Sequence, residues 1–285
     1  MNDDNRNARQ GTLAANIHVH GHLANTGEYQ KSVHFRPENQ RKVRAILQRL
    51  ASAHPDAKSG RIVDFGCGTG FVIDLVHDLF AEVYGVDITQ DMMKHVDRHD
   101  GTVRLVECLA EQTPFPDNHF EFATAYSFMD HLFSYQEFLA EVYRVLKPGG
   151  VFYSDLNPNR AFILNMERVA HSGELELNPI VQREIQGALH NGSHYAANYG
   201  LNATVLEDAE PIKTRDKGFD AHEVLQAGRD LGFSSCRVEY EWFLGQAKVM
   251  HGASPEDAEI IDQYLKMVLP VSDSLYKYLR FVFKK

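Results

Sequence analysis

Three glycines spaced two apart, Gly66, Gly68 and Gly70, close the run Val63-Asp64-Phe65, and a carboxylate, Asp87, follows 17 residues after the last of them. Glycine there permits a left-handed backbone and lets a ligand approach the main chain with no Cβ in the way. A helix opening directly after the turn points its positive end at the same place. A carboxylate ending the next strand can accept both hydrogen bonds of a ribose diol. These residues suit the holding of a nucleoside-containing cofactor. Their spacing separates two such cofactors. A dinucleotide fingerprint reads G-x-G-x-x-G, whereas this turn reads Gly66-x-Gly68-x-Gly70 with Asp64 ahead of it.

Other residues carry weaker signals. His131 stands beside Asp130 and could take a proton from a hydroxyl or amine, or simply pack. Asp155 and Asn157 could orient a substrate or satisfy the turn before Pro158. His190, His194, Tyr195 and Tyr199 could line an acceptor pocket or decorate a lid surface. Tyr29, His34 and Arg36 are placed to close over a cofactor, Arg36 on its carboxylate. His18, His20 and His22 alternate, which on a strand would share one face. With no Cys or carboxylate among them they are read as part of a flexible arm, and no metal is expected. Cys67 has no neighbour in sequence that would lower its pKa and is read as a small buried filler.

The elements that must position these groups follow from periodicity. Residues 1–30 are polar and without sustained period, an arm that is disordered or folds over something else. Pro37 to His54 is helical, with Val43, Ile46, Leu47 and Leu50 on one face. Arg61–Phe65, the glycine turn, a helix carrying Phe71, Val72, Leu75, Val76, Leu79 and Phe80, and a strand over 81–88 make the first half of a doubly wound parallel sheet. A short helix over Asp91–His99 is expected, then strands over 102–107, 120–126 and 151–155. Between the last two lies a helix over 135–146, stopped by Lys147-Pro148-Gly149-Gly150. A helix over 221–231 and strands over 234–242 and 276–283 complete the alternation. Segments 158–217 and 243–275 interrupt it. The first contains two expected helices, about 162–171 and 178–190. The second contains a helix whose start is marked by Ser254, Pro255 and Asp257. Both leave carboxyl ends of strands, the edge where open α/β sheets bind ligands.

Composition narrows the classes. A net charge of -10 and a pI near 5.8 argue against a broad footprint for duplex nucleic acid. No run approaches the ~20 apolar residues of a membrane span, and the first residues carry no apolar signal segment, so a cytoplasmic location is expected. Three scattered cysteines do not read as a disulfide framework.

Val63 to Gly70, Val83-Tyr84-Gly85-Val86-Asp87, Ala110 to Asp117 and Arg144 to Gly150 together resemble the class I S-adenosylmethionine-dependent methyltransferase family, in its small-molecule branch. The resemblance covers roughly residues 40–157, with Gly232-Phe233 and the closing strand. It implies an α/β, Rossmann-like, doubly wound seven-stranded sheet with the last strand antiparallel and helical lid insertions at 158–217 and 243–275. It divides the chain into an arm, 1–36, and a methyltransferase domain, 37–285. It implies S-adenosylmethionine against Gly66, Gly68 and Gly70, with Asp64 supporting its amino-acid end. Asp87 would take the ribose hydroxyls, Ile88 would pack on the adenine face, and the backbone at Leu109 and Ala110 would meet the adenine edge. Ala125 and Tyr126 would lie beside the sulfonium; position in this chain, rather than the resemblance, adds His131 near the acceptor and Tyr29 and Asn157, with Tyr126, as candidate substrate residues. Many relatives carry an aspartate where this chain has Leu109; Glu111 or a backbone carbonyl must then serve the adenine amino group. The expected reaction is methyl transfer to an oxygen, nitrogen or carbon of a small-molecule acceptor. The alternatives are other chemistry on the same cofactor, a catalytically silent cofactor-binding partner subunit, and an NAD-dependent oxidoreductase, which the glycine spacing disfavours.

Overall fold

The computed structural model describes residues 3–27, 35–172, 176–189 and 200–285. Seven strands form one sheet: β1 Arg61–Phe65, β2 Glu82–Asp87, β3 Val103–Glu107, β4 Phe120–Tyr126, β5 Leu146–Pro158, β6 Ser235–Phe243 and β7 Tyr276–Lys284. The order is β3-β2-β1-β4-β5-β7-β6. β7 runs antiparallel to both β5 and β6, and every other pairing is parallel. The strand order reverses beside β1, so the carboxyl ends of β1 and β4 flank the crevice where such sheets bind ligands.

The sheet is buried on both faces, which is why its central strands read as nearly continuous apolar runs. On one face α2 (Pro37–Ser52) and α3 (Phe71–Val76) pack Val43, Leu47, Val72 and Ile73 against Ile62, Phe122 and Tyr153. On the other, α5 (Tyr135–Val145) and α10 (Ala221–Leu231) pack Phe138, Val142 and Val224 against Val63, Phe65, Phe152 and Phe281. Local chemistry sets these helix ends. The Asp220 carboxylate accepts from the amides of His222 and Glu223, and Gly232 ends α10 at φ +102°.

Two expected elements differ. The helix expected over Asp91–His99 is only α4, Gln90–Met93, because Asp97 accepts from the amide of His99 and the backbone goes left-handed at His99 and Asp100. The Lys147-Pro148-Gly149-Gly150 stop does end α5, but the same residues begin β5 rather than precede it.

Of the two readings of the N-terminal segment, a disordered arm and one folded over something else, its described residues fit the second. They form α1, Asp3–Asn25, packing Ala15, Val19 and Leu23 on Leu201, Leu206 and Ala209. The last two belong to α8, Ala203–Ala209, which α9, Pro211–Thr214, follows. The 158–217 segment also carries α6, Arg160–Ser172, and α7, Pro179–Leu189, while 243–275 carries α11, Gln246–Gly252, and α12, Pro255–Met267. Among the described residues no helix is long and apolar enough to cross a membrane.

Candidate cofactor and acceptor site

β1 ends at Phe65, and the turn passes Gly66, Gly68 and Gly70 at φ of +67°, +53° and +95°. Space as well as conformation demands glycine at the first position: a Cβ on Gly66 would fall 2.0 Å from Cδ2 of Phe128. Asp87, at the end of β2, accepts from the Gly68 amide at 2.9 Å and the Thr89 amide at 2.8 Å. Burial pushes its carboxyl up and those two amides pull it back. Asp64 lies beneath the turn, 2% exposed, its Oδ1 accepting from the Thr124 hydroxyl at 2.7 Å. Burial lifts its carboxyl to about 7; the Thr124 bond opposes this and the charge of Asp87 adds to it.

A cavity with about 730 Å³ of atom-free space, its mouth included, opens at these strand ends. Six of the nine expected cofactor residues line it: Gly66, Gly68, Asp87, Ile88, Leu109 and Ala110. Asp64, Gly70 and Ala125 do not. Gly70 instead caps α3 and packs near Val96, and Ala125 is fully buried inside β4. The wall begins two residues later, at Ser127, where φ turns to +50°.

Of the three expected substrate residues, Tyr126 and Asn157 are elsewhere. Strand alternation turns Tyr126 to the α2–α3 side, where its hydroxyl accepts from Asn39 at 2.8 Å and its ring meets Phe71. The Asn157 amide is consumed by the sheet, donating to the Leu279 carbonyl and accepting from Ser154. Asp155 is likewise structural, accepting from Tyr153 and from the buried guanidinium of Arg280. Tyr29, His34, His190, His194, Tyr195 and Tyr199 lie outside the described residues. Cys67 is buried, and burial pushes its thiol well up.

The residues sequence reasoning missed come mainly from α1. Arg9, Thr12, Leu13, Asn16 and His20 form one side of the cavity, whereas the described residues of 158–217 and 243–275 contribute none of its wall. Arg9 fastens the helix by donating to Glu137 at 2.7 Å and Glu111 at 3.1 Å. Glu111, the residue proposed to stand in at the adenine edge, lines the cavity with its carboxyl pushed up by burial. Asn16 donates to the His131 carbonyl, and Asn25 to Asp91. Past Thr12 and Phe133 a second, open groove runs between α1 and residues 207–215.

His131 lines the cavity, but its ring nitrogens face protein. Nδ1 is 2.9 Å from the Ala209 carbonyl, which can only accept, and 3.5 Å from His20 Nε2. Nε2 is 3.9 Å from Asp130 Oδ1. The His20 ring stands edge-on to it at 4.7 Å, and its pKa falls to about 3 through burial and the charge of His131, with Glu210 opposing. The helix also separates the three alternating histidines, since His20 turns inward while His18 stays exposed.

Comparisons with known proteins cover the segment in which the glycine turn and Asp87 lie. Residues 63–154 match the family described as "Methyltransferase domain". A Mycolicibacterium smegmatis protein named "Probable S-adenosylmethionine-dependent methyltransferase" is 31% identical over 149 residues, 52% of this chain and 54% of that one. A Geobacillus demethylmenaquinone methyltransferase is 28% identical over 190 residues, 64% of this chain and 74% of that one. The chain thus spans about half the length of the first relative. The crystal structure of an S-adenosylmethionine-dependent methyltransferase from Mesorhizobium loti shares the fold at a TM-score of 0.50 and 17% identity, over 83% of this chain and 96% of that one. Matched segment and strand order converge on one statement: residues 63–154 match a methyltransferase domain, and they sit in a chain with the class I methyltransferase fold.

Proposed function

We propose that the chain transfers a methyl group from S-adenosylmethionine to an oxygen, nitrogen or carbon of a small-molecule acceptor. The observation that carries this reading is the cavity lined on one side by Gly66, Gly68 and Asp87 and on the other by residues of α1. The bound cofactor supplies an already activated methyl on a sulfonium, so alignment and exclusion of water are the chief demands on the protein. Gly66 and Gly68 let the main chain approach, Asp87 offers its carboxylate to a diol, and Ile88, Leu109 and Ala110 give an apolar wall for a base. Leu13, Leu132 and Phe133 close the acceptor end against solvent, with Asn16 and the two histidine rings as its polar features. Asp64 acts from below by supporting the turn. His131 serves here as wall rather than as free base, because both of its nitrogens already face acceptors. The acidic charge and the demethylmenaquinone relative support a small molecule over nucleic acid. Calorimetric titration with S-adenosylhomocysteine tests the first step, with binding near one per chain expected. A folded protein that takes up none at millimolar ligand overturns it. An acceptor screen read by mass gain of one methyl tests the second.

A further inference from the structure

Behind the cavity, the loop after β4 and the α8–α9 junction bring together three side chains, two of which, Asp130 and Glu210, the methyl-transfer reading does not use. We propose that Asp130, His131 and Glu210 form a binding site for one divalent transition-metal ion, clipping the α8–α9 segment to the loop after β4. One donor atom from each of the three lies within 4.8 Å of the others. The Asp130 Oδ1 atom is buried with no hydrogen-bond partner among the described residues, on a residue only 7% exposed. Leaving a buried carboxylate oxygen so costs free energy that a bound cation returns.

The tautomer of His131 points the same way. Its Nδ1–H is spoken for by the Ala209 carbonyl at 2.9 Å, so the neutral ring turns the Nε2 lone pair toward Asp130. A ring N–H donated to a backbone carbonyl is the usual support of a metal-bound imidazole. The 3.9 Å between Nε2 and Oδ1 is too long for a hydrogen bond. With metal–ligand bonds of about 2.0–2.2 Å, adjacent ligands of one ion stand roughly 3–3.5 Å apart, so a small closure suffices. One nitrogen and two oxygens suit Zn²⁺ or Mn²⁺ better than Ca²⁺. Glu210 is partly exposed, which leaves an entry path. Lys213 is the competitor: its ammonium donates to Glu210 Oε2 at 2.5 Å, neutralising one of the two carboxylates and leaving the other.

The test uses the full chain without a histidine tag, stripped with chelator, in a His18→Gln/His22→Gln background that removes the two other α1 histidines. Zn²⁺ and Mn²⁺ are titrated by calorimetry, with bound metal counted by mass spectrometry and melting followed in parallel. Expected are one ion per chain and a raised Tm. Asp130→Asn and Glu210→Gln should each weaken binding roughly tenfold or more, and Lys213→Met should tighten it. Circular dichroism verifies that each variant is folded. No saturable binding, or binding that Asp130→Asn and Glu210→Gln leave unchanged, overturns the proposal.

Discussion

Asp64→Asn removes one ionisable group from beneath the glycine turn while keeping its shape and an oxygen for the Thr124 hydroxyl. In the folded chain burial holds this carboxyl near 7, against 3.8 for the group in water. Between those values the folded state binds more protons than the unfolded one, so this group makes stability fall as pH rises. The loss begins above the unfolded value and is complete once pH exceeds the folded one. From pH 5 to pH 8 it amounts to about 2.5 kcal/mol, from 1.36 kcal/mol per pKa unit over the part of the window crossed. Urea unfolding of both proteins at pH 5, 6, 7 and 8, followed by far-ultraviolet circular dichroism, reads the difference directly. The asparagine variant should gain on the wild type by about 2.5 kcal/mol across that range. Parallel stability curves would mean that Asp64 is ionised in the native state at pH 5. The buried-acid account of the turn would then fail.

Asp87→Ala should weaken S-adenosylhomocysteine binding by about 1–3 kcal/mol, 5- to 150-fold in calorimetry, and an unchanged affinity would remove Asp87 from the site. Gly66→Ala places a methyl 2.0 Å from Phe128 at a φ of +67°. A stability loss of about 1–3 kcal/mol is expected in urea unfolding, with partial recovery in the Gly66→Ala/Phe128→Leu pair. Arg9→Ala cuts both ion pairs that hold the start of α1. Limited proteolysis should then cleave within residues 3–25 several-fold faster while the sheet domain stays intact, and an unaltered digestion pattern would show that the apolar seam alone seats the helix.

The parts of the fold legible in the sequence are those where period and punctuation agree. Strand β1, the glycine turn, β4 and α10 fall where expected, because apolar runs there are bounded by Gly, Pro or a capping Asp. α1 was illegible for a physical reason. Its buried positions Thr12, Ala15, Asn16, Val19, Leu23 and Ala24 recur at helical spacing, but only two are large and apolar, and Gly11 and Gly21 argue against a helix. Reading buried polar residues together with apolar ones would have exposed the period. Tyr126 and Ala125 were misplaced because the cavity starts past the strand, at Ser127. Asn157 was misplaced because β5 continues to Pro158 and spends that amide on β7.

The seat of α1 also bears on timing. One helix supplies the wall of a cavity whose other walls are fixed to the sheet, so whatever enters or leaves past that wall must wait for the helix to lift. Its anchorage includes two ion pairs from Arg9, two amide contacts, the His20–His131 contact and a seam of Ala15, Val19 and Leu23. Where a terminal helix lifts from its seat, it does so on microsecond to millisecond scales, and such openings often govern product release. Under the proposed methyl transfer, turnover would have a ceiling set by how often this 23-residue helix lets go, and viscosity rather than acceptor reactivity would be the variable that moves it.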